Sequence, residues 1–274
     1  MQQIQIANHE FNAFRELIYN ETGIKLSDLK KALVQARISR RCRVLGIQTF
    51  KEYHDYLLDH YNIEKIEFIN AITTNKTDFF RENKHFDFMN KVILPDFEKS
   101  GKNKLRIWSA GCSTGEEPYT IALTLHEYFK NKKKPDIKIL ATDIDTTVLE
   151  KGQNGIYKTD AMEGVPLYIL KEYFFRGRGE NEGLFKVKDV LKKYITYRRL
   201  NLMDKQFPMK GTFDIIFCRN VIIYFEKHDQ AILFEKIKKY SDAGGWLFIG
   251  HSENISNIAD GYKLVGNTIY QREE

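Results

Sequence analysis

The chain is poor in the residues that mark special architectures. Its 274 residues include three cysteines and five prolines. Cys42, Cys112 and Cys218 are odd in number and widely spaced, with no C-x-x-C, and the seven histidines show no H-E-x-x-H or similar ligand spacing. Neither a disulfide nor a metal is expected. No run of 18 or more apolar residues occurs, and Met1-Gln-Gln-Ile-Gln5 lacks both the basic start and the apolar middle of a secretion signal. That argues against membrane insertion and for a cytoplasmic protein. Excess charge of one sign is also small: 43 basic against 37 acidic side chains give +6, too mixed for a dedicated polyanion binder, so nucleic acid is not an expected partner. No apolar heptad or long unprotected strand advertises self-association, which favours a monomer.

What is present suffices for a substantial core. The apolar fraction is 42%, and the length fits one large or two modest domains. Helical periodicities run through the first quarter, in Phe11, Phe14 and Ile18, then Leu29, Leu33 and Ala36, then Tyr53, Tyr56 and Leu57, without a convincing strand. This predicts a small all-α domain over 1–72. A linker over 73–104 follows, containing Thr73-Thr-Asn-Lys-Thr-Asp-Phe-Phe-Arg-Glu82 and the polar stretch Lys99-Ser-Gly-Lys-Asn-Lys104. The remainder, 105–274, alternates strands and helices, with strands near Leu105–Ala110, Ile137–Thr142, Tyr194–Leu200, Phe213–Cys218 and Gly245–Gly250. That order is an α/β class, a Rossmann-like doubly wound sheet. Tyr262–Gln271 reads as a terminal antiparallel hairpin around Gly266-Asn267, a feature of methyltransferase sheets that use S-adenosylmethionine. The long connection between the second and third strands carries Tyr173–Gly179 and Gly183–Lys188, read as a small inserted antiparallel β subdomain over about 153–193.

The most informative stretch is Leu105-Arg-Ile-Trp-Ser-Ala-Gly-Cys-Ser-Thr-Gly-Glu-Glu-Pro-Tyr119, a buried strand, a glycine turn and an acidic helix start. Dinucleotide pockets rest a pyrophosphate on that helix end, where amides and dipole attract anions. Glu116 and Glu117 would repel a phosphate there and suit a cationic ligand instead, such as a sulfonium nucleoside. Asp143, at the carboxyl end of the second strand, stands where nucleoside-binding sheets place a ribose-binding acid. It could equally cap the helix that follows.

Five segments in order resemble the chemotaxis receptor methyltransferases, the CheR family: Thr74–Arg81, Ser109–Tyr119, Ala141–Asp145, Phe217–Phe225 and Gly250-His-Ser-Glu-Asn254. The resemblance implies methyl transfer from S-adenosylmethionine to glutamate side chains on receptor signalling helices, with S-adenosylhomocysteine as by-product. It implies that Asn75, Thr77 and Arg81 cover the cofactor, with Gly111 in the turn, Glu117 on the adenosylmethionine moiety and Asp143 on the ribose; Glu116 is an adjacent candidate. Asn201 and Leu202 would border the adenine, and Arg219 and Asn220 would close the methionine end. Arg81 and Tyr224 would hold the incoming carboxylate. His251, Ser252 and Glu253 receive no chemical role.

Two docking features complete the expectation. Lys30, Arg37 and Arg41 fall on one helical stripe with Arg40 and Arg43 nearby, cationic enough to steer an acidic substrate helix, although a solvated face is the ordinary meaning of such a stripe. Gly177 and Gly179 match family members that grip a receptor's C-terminal tail peptide as an added edge strand. Two other functions compete. RNA methylation keeps the cofactor and changes the substrate; DNA amino-methylation is disfavoured because Cys218-Arg-Asn220 stands where a Pro-Pro-Tyr/Phe motif is expected. A cofactor-sensing module without catalysis would need the fold alone.

Overall fold

The computed structural model describes residues 5–273; residues 1–4, most of the start read above for a secretion signal, lie outside the described residues. Four helices open the chain, α1 (Asn8–Thr22), α2 (Lys31–Leu45), α3 (Phe50–Asp59) and α4 (Tyr61–Ile72). Local chemistry sets their ends. Gly23 closes α1 in the left-handed conformation, and Thr49 with Glu52 forms a reciprocal capping box on α3. Their shared core holds Phe14, Ile18, Ile38, Tyr53 and Phe68, all essentially inaccessible. The stripe Leu29, Leu33, Ala36 is not the buried one: Leu29 is 93% exposed, and α2 buries Val34, Ile38 and Cys42. Both stripes have helical period, so the period was legible and its phase was not.

Beyond the linker, α5 (Lys84–Phe88), a π-helical turn (Met89–Ile93) and α6 (Leu94–Lys99) run nearly continuously into the sheet. The sheet elements are β1 (Lys104–Ala110), α7 (Glu116–Tyr128), β2 (Asp136–Asp143) and α8 (Thr146–Asn154), followed by an insertion. That insertion comprises β3 (Ile156–Lys158), α9 (Leu167–Tyr173), β4 (Phe174–Arg176), β5 (Leu184–Val187) and α10 (Asp189–Lys192). Then come β6 (Ile195–Arg199), β7 (Phe213–Cys218), α11 (Lys227–Tyr240), β8 (Ser241–Ile249), β9 (Tyr262–Gly266) and β10 (Ile269–Arg272). The main sheet has the order β6-β2-β1-β7-β8-β10-β9. Its first five strands are parallel, and β10 is antiparallel to both β8 and β9, so the hairpin inserts its second strand beside β8.

β1 is covered on both faces, as a central parallel strand must be: Leu105 and Ile107 join one core, Trp108 and Ala110 the other. Trp108 is fully buried, and its indole N–H donates to Thr142 Oγ1 at 2.9 Å, so this donor is satisfied in the core. The insertion is a three-stranded sheet ordered β3-β5-β4. The sequence reading found β4 and β5 but missed β3, which pairs with β5 from the far side of the insertion.

Candidate active site

A cavity of about 340 Å³ opens at the carboxyl ends of the parallel strands, under the helical domain and the linker. This is where an open α/β sheet, at the point where its strand order reverses, leaves a crevice. Each residue expected at the cofactor lines it: Asn75, Thr77 and Arg81, then Gly111, Glu117 and Asp143, then Asn201, Leu202, Arg219 and Asn220. Tyr224 and Lys30 line it as well. Glu116 does not appear on its wall; it is buried, accepts from Thr114 Oγ1 at 2.6 Å, and is pushed up to about 6 by that burial.

The glycine loop explains what the cavity refuses. Gly111 sits at φ +81°, and a methyl group there would meet Val221 Cγ2 at 2.4 Å, so only glycine lets the backbone approach the cavity. Three of the loop's amides are already used: Gly111 and Cys112 donate to Thr142 O, and Ser113 donates to Asp143 Oδ2 at 2.8 Å. No phosphate cradle is left among them. Asp143 also accepts from the Asp145 amide at 3.0 Å, while Asp145 itself caps α8 through the amides of Thr147 and Val148. The capping role weighed for Asp143 thus belongs to its neighbour. Burial pushes the Asp143 carboxyl up to about 6, only partly offset by the amides it accepts.

Glu117 accepts from Ser109 Oγ at 2.6 Å, and burial raises its pKa against the pull of Arg219. Arg219 lies 3.6 Å from Glu117 Oε2 and 3.3 Å from Glu82 Oε2, and it donates to Arg81 O at 2.5 Å. Glu82 carries more than the sequence showed. Its Oε1 accepts the His251 amide at 3.1 Å and Asn220 Nδ2 at 3.3 Å, so one carboxylate joins the linker to the loops after β7 and β8. Burial favours its neutral form, but the His251 amide, Arg219 and Asn220 outweigh that and hold it below the ordinary value. Glu253 staples the same loops from behind, accepting amides of Asn220, Ile223 and Gly250 at 2.6–3.3 Å. The motif Gly250-His-Ser-Glu253 was the available signal for this role, and a sequence alone does not say which loops a carboxylate will bridge.

Arg81 stands between two non-glycine residues in the left-handed region, Phe80 at φ +55° and Glu82 at φ +56°. Such pairs persist only where the surroundings over-determine them. Here Phe79 is wedged edge-on against Tyr157 and Phe174 of the insertion, with centroids 5.0 and 5.7 Å away, and the Phe80 amide donates to Thr120 Oγ1. Tyr224 is half-buried in a short turn, its carbonyl accepting from the Lys25 amide of the helical domain at 2.8 Å. Burial raises its pKa, with Arg81 and Arg37 pulling the other way. Asn201 bridges likewise, donating to Glu21 O at 2.7 Å.

The basic stripe needs correction. Arg37 is turned inward, donating to the carbonyls of Ile72 and Thr73 and to Thr74 Oγ1, which caps the end of α4 and pins the start of the linker. Arg41 forms a two-pronged pair with the buried Glu64 at 2.7 and 2.6 Å. Neither guanidinium is free to meet a substrate helix; Lys30 and Arg40 are exposed. In the insertion, Gly177 has no room for a side chain, since a Cβ would lie 1.9 Å from Asn181 O, while Gly179 sits at φ +59° in open space. Neither touches the cavity.

Glu82, His85 and His251 bring three potential metal-ligating atoms within 4.8 Å of one another. A cation there would meet the Arg219 guanidinium, 3.3 Å from Glu82 Oε2. His85 is fully buried and held neutral, its pKa pushed down to about 4 by burial and Arg219, and its Nε2–H is directed at Asn267 O, 2.8 Å away in the terminal hairpin turn. Glu82 holds the His251 amide and His85 holds the hairpin turn, while His85 Nδ1 lies 3.6 Å from Glu82 Oε2 without a hydrogen bond.

The donor set fits a sulfonium nucleoside. Two acids of low exposure, Glu117 and Asp143, face a largely apolar cavity, and the Gly111, Cys112 and Ser113 amides are already paired within the protein. Comparison with known proteins agrees. Residues 75–271 match the family model described as CheR methyltransferase, SAM binding domain, and residues 9–73 match CheR methyltransferase, all-alpha domain. A chemotaxis protein methyltransferase of Borreliella burgdorferi is 44% identical, covering 92% of this chain and 90% of its own. One from Salmonella typhimurium is 40% identical, covering 98% and 92%. Among solved structures, a putative S-adenosyl-L-methionine-dependent methyltransferase of Methanococcus maripaludis aligns over 73% of this chain and 95% of its own, at 14% identity and a TM-score of 0.39, a loose likeness only. With its paired acids on one cavity and its two family domains in order, this chain belongs to the CheR methyltransferase family.

Proposed function

We propose that this chain methylates glutamate side chains of bacterial chemoreceptors in the cytoplasm, acting as a monomer and producing glutamate methyl esters and S-adenosylhomocysteine. The observation that carries the reading is the convergence of Glu117, Asp143, Arg81 and Tyr224 on one cavity in a chain of this family. S-adenosylmethionine, when bound, supplies an electrophilic methyl group on a cationic sulfur. The protein's part is to hold and to orient. Asp143 serves the ribose hydroxyls, Glu117 the cationic end, and Asn201 with Leu202 the base; Asn75 and Thr77 cover the site from the linker, and Asn220 closes it.

A substrate glutamate has a reference pKa of about 4.3 and is ionised at neutral pH, so no general base is needed. Arg81 and Tyr224 pair with that carboxylate and aim it, while the surrounding walls exclude water. Methyl transfer from labelled S-adenosylmethionine to receptor-bearing membranes, giving a base-labile ester, tests this. Label appearing instead in total RNA would overturn the choice of substrate.

Receptor contact is divided between two surfaces. Lys30 and Arg40 remain exposed on the helical domain and steer an acidic helix toward the cavity mouth. In the insertion, β4 is an edge strand, and Phe174 to Gly179 line a groove beside it with Glu182. An extended receptor tail peptide adds to that edge, and such tethering raises local substrate concentration without touching the chemistry. Calorimetric titration of the full chain with receptor tail peptide tests the second surface, and an absence of binding removes it. Among the described residues no helix is long and apolar enough to cross a membrane.

A further inference from the structure

Of the two acids in Ala141–Asp145, Asp143 lines the cavity and Asp145 does not. Asp145 is nonetheless buried, and both of its carboxylate oxygens are occupied. Oδ1 accepts the amides of Thr147 and Val148 at 2.8 and 3.3 Å, as the N-cap of α8. Oδ2 faces the linker, where it accepts from Thr73 Oγ1 and Asn75 Nδ2, each at 2.7 Å. Arg37 fixes the same segment from the other side by donating to the Thr73 carbonyl at 2.8 Å, and Asn70 ties it to Thr146 through a pair of bonds. Asn75 is thus held against Asp145.

A carboxylate only accepts, so the Asn75 atom 2.7 Å from it must be the amide nitrogen. That settles which way the carboxamide is turned. Nδ2 also donates to Thr73 Oγ1 at 3.3 Å, while among the described residues Oδ1 meets no hydrogen-bond donor, and Asn75 lines the cavity. We infer that Asp145 is a positioning residue that sets the polarity of the cavity wall at Asn75: by taking Nδ2 it leaves the carboxamide oxygen for the ligand, so that Asn75 accepts from a donor of the cofactor. Asp145 does this without touching the ligand. Its own amide donates to Asp143 Oδ1 at 3.0 Å, so one residue orients both the acid read as the ribose partner and the acceptor on the linker. This rests on the reading of the cavity as the S-adenosylmethionine site.

The experiment reverses the polarity while keeping the tether. In Asp145→Asn the side chain still caps α8, because asparagine caps as well as aspartate, but it now donates to the linker. Asn75 must then flip to accept, and it offers the cavity a donor. Adding Asn75→Asp keeps that tether and restores an acceptor. Wild type and both variants, as full chains, are titrated calorimetrically with S-adenosylhomocysteine and S-adenosylmethionine, and the ligand-free proteins are unfolded in urea. Asp145→Asn is expected to weaken both ligands about tenfold, the effect of about one hydrogen bond replaced by two opposed donors. The double variant is expected to bind within about threefold of wild type or more tightly, with the same ligand-free stability as Asp145→Asn. If the two variants bind alike, whether as wild type does or equally weakened, Asp145 is a cap and tether only, and the inference is overturned. Asn75→Ala, which leaves Asp145 and its cap intact, gives an independent reading: about a tenfold loss supports the inference, and unchanged affinity for both ligands overturns it. Wild type that takes up neither ligand removes the cavity assignment and this inference together, whereas wild type that binds while the variants match one another removes this inference alone.

Discussion

Two buried arginine–carboxylate groups in this molecule have the same chemistry and different uses. Arg41 meets Glu64 with two bonds of 2.6–2.7 Å and reaches the exposed Glu67 only at 3.7 Å, and Tyr53 O–H donates to Glu64 at 2.9 Å, so the acid is saturated inside the helical domain. Arg219 is split between Glu82 and Glu117 at 3.3 and 3.6 Å, and Glu117 lines a cavity. Short, saturated and closed describes a structural pair. Long, shared and open to a cavity describes a site whose charge is left for a ligand. Burial alone does not distinguish them, since Glu64 and Glu117 both have little exposed side chain, 2% and 12%.

The largest effect should come from opening the closed pair. Arg41→Ala leaves Glu64 buried and uncompensated, and is expected to cost about 3–5 kcal/mol of stability in urea unfolding, with cofactor affinity of the folded fraction unchanged. A loss of cofactor affinity with little destabilisation would erase the distinction between the two groups. On the open side, if Tyr224 donates to the substrate carboxylate as proposed, Tyr224→Phe removes that donor and should slow single-turnover methyl transfer about ten- to a hundredfold, with a much smaller change in cofactor affinity. Normal turnover would remove Tyr224 from the chemistry.

The cavity's charge should also be visible in pH. Asp143 is held up to about 6, and in the proposed role the ribose hydroxyls would donate to its ionised form. Cofactor affinity is therefore full above that pH and declines as pH falls through it; Asp143→Asn should bind about tenfold more weakly at neutral pH and flatten the profile. An unchanged slope in that variant would assign the titration elsewhere. The smallest effect is expected at the exposed cations: Lys30→Glu with Arg40→Glu should raise KM for receptor about threefold at low salt, and the difference should fade as salt screens it. A salt-independent rise would point to lost packing instead.

Much of the site was legible because its residues lie at strand ends, where chain order and the glycine turn dictate proximity. Asp143 ends a parallel strand and Gly111, Asn201 and Arg219 follow others, and a parallel sheet brings all such ends to one edge. The basic stripe misled for the opposite reason. Lys30, Arg37 and Arg41 share a helical spacing, yet Arg37 reaches the carbonyls at the end of α4 and Arg41 reaches Glu64, partners distant in sequence. The same limit hid Glu82 and Glu253, whose bonds run to residues 137–169 and 30–33 positions away or close within a local turn.

Order of elements, the glycine turn with its acidic helix start, and the terminal hairpin were determined by local pattern, because backbone sterics and apolar period act over a few residues. Tertiary structure alone decided which face of α2 is buried, which loops Glu82 and Glu253 bridge, and which guanidinium is turned inward. Those outcomes depend on groups brought together from distant segments, and the energy of a charge is set by what surrounds it in space.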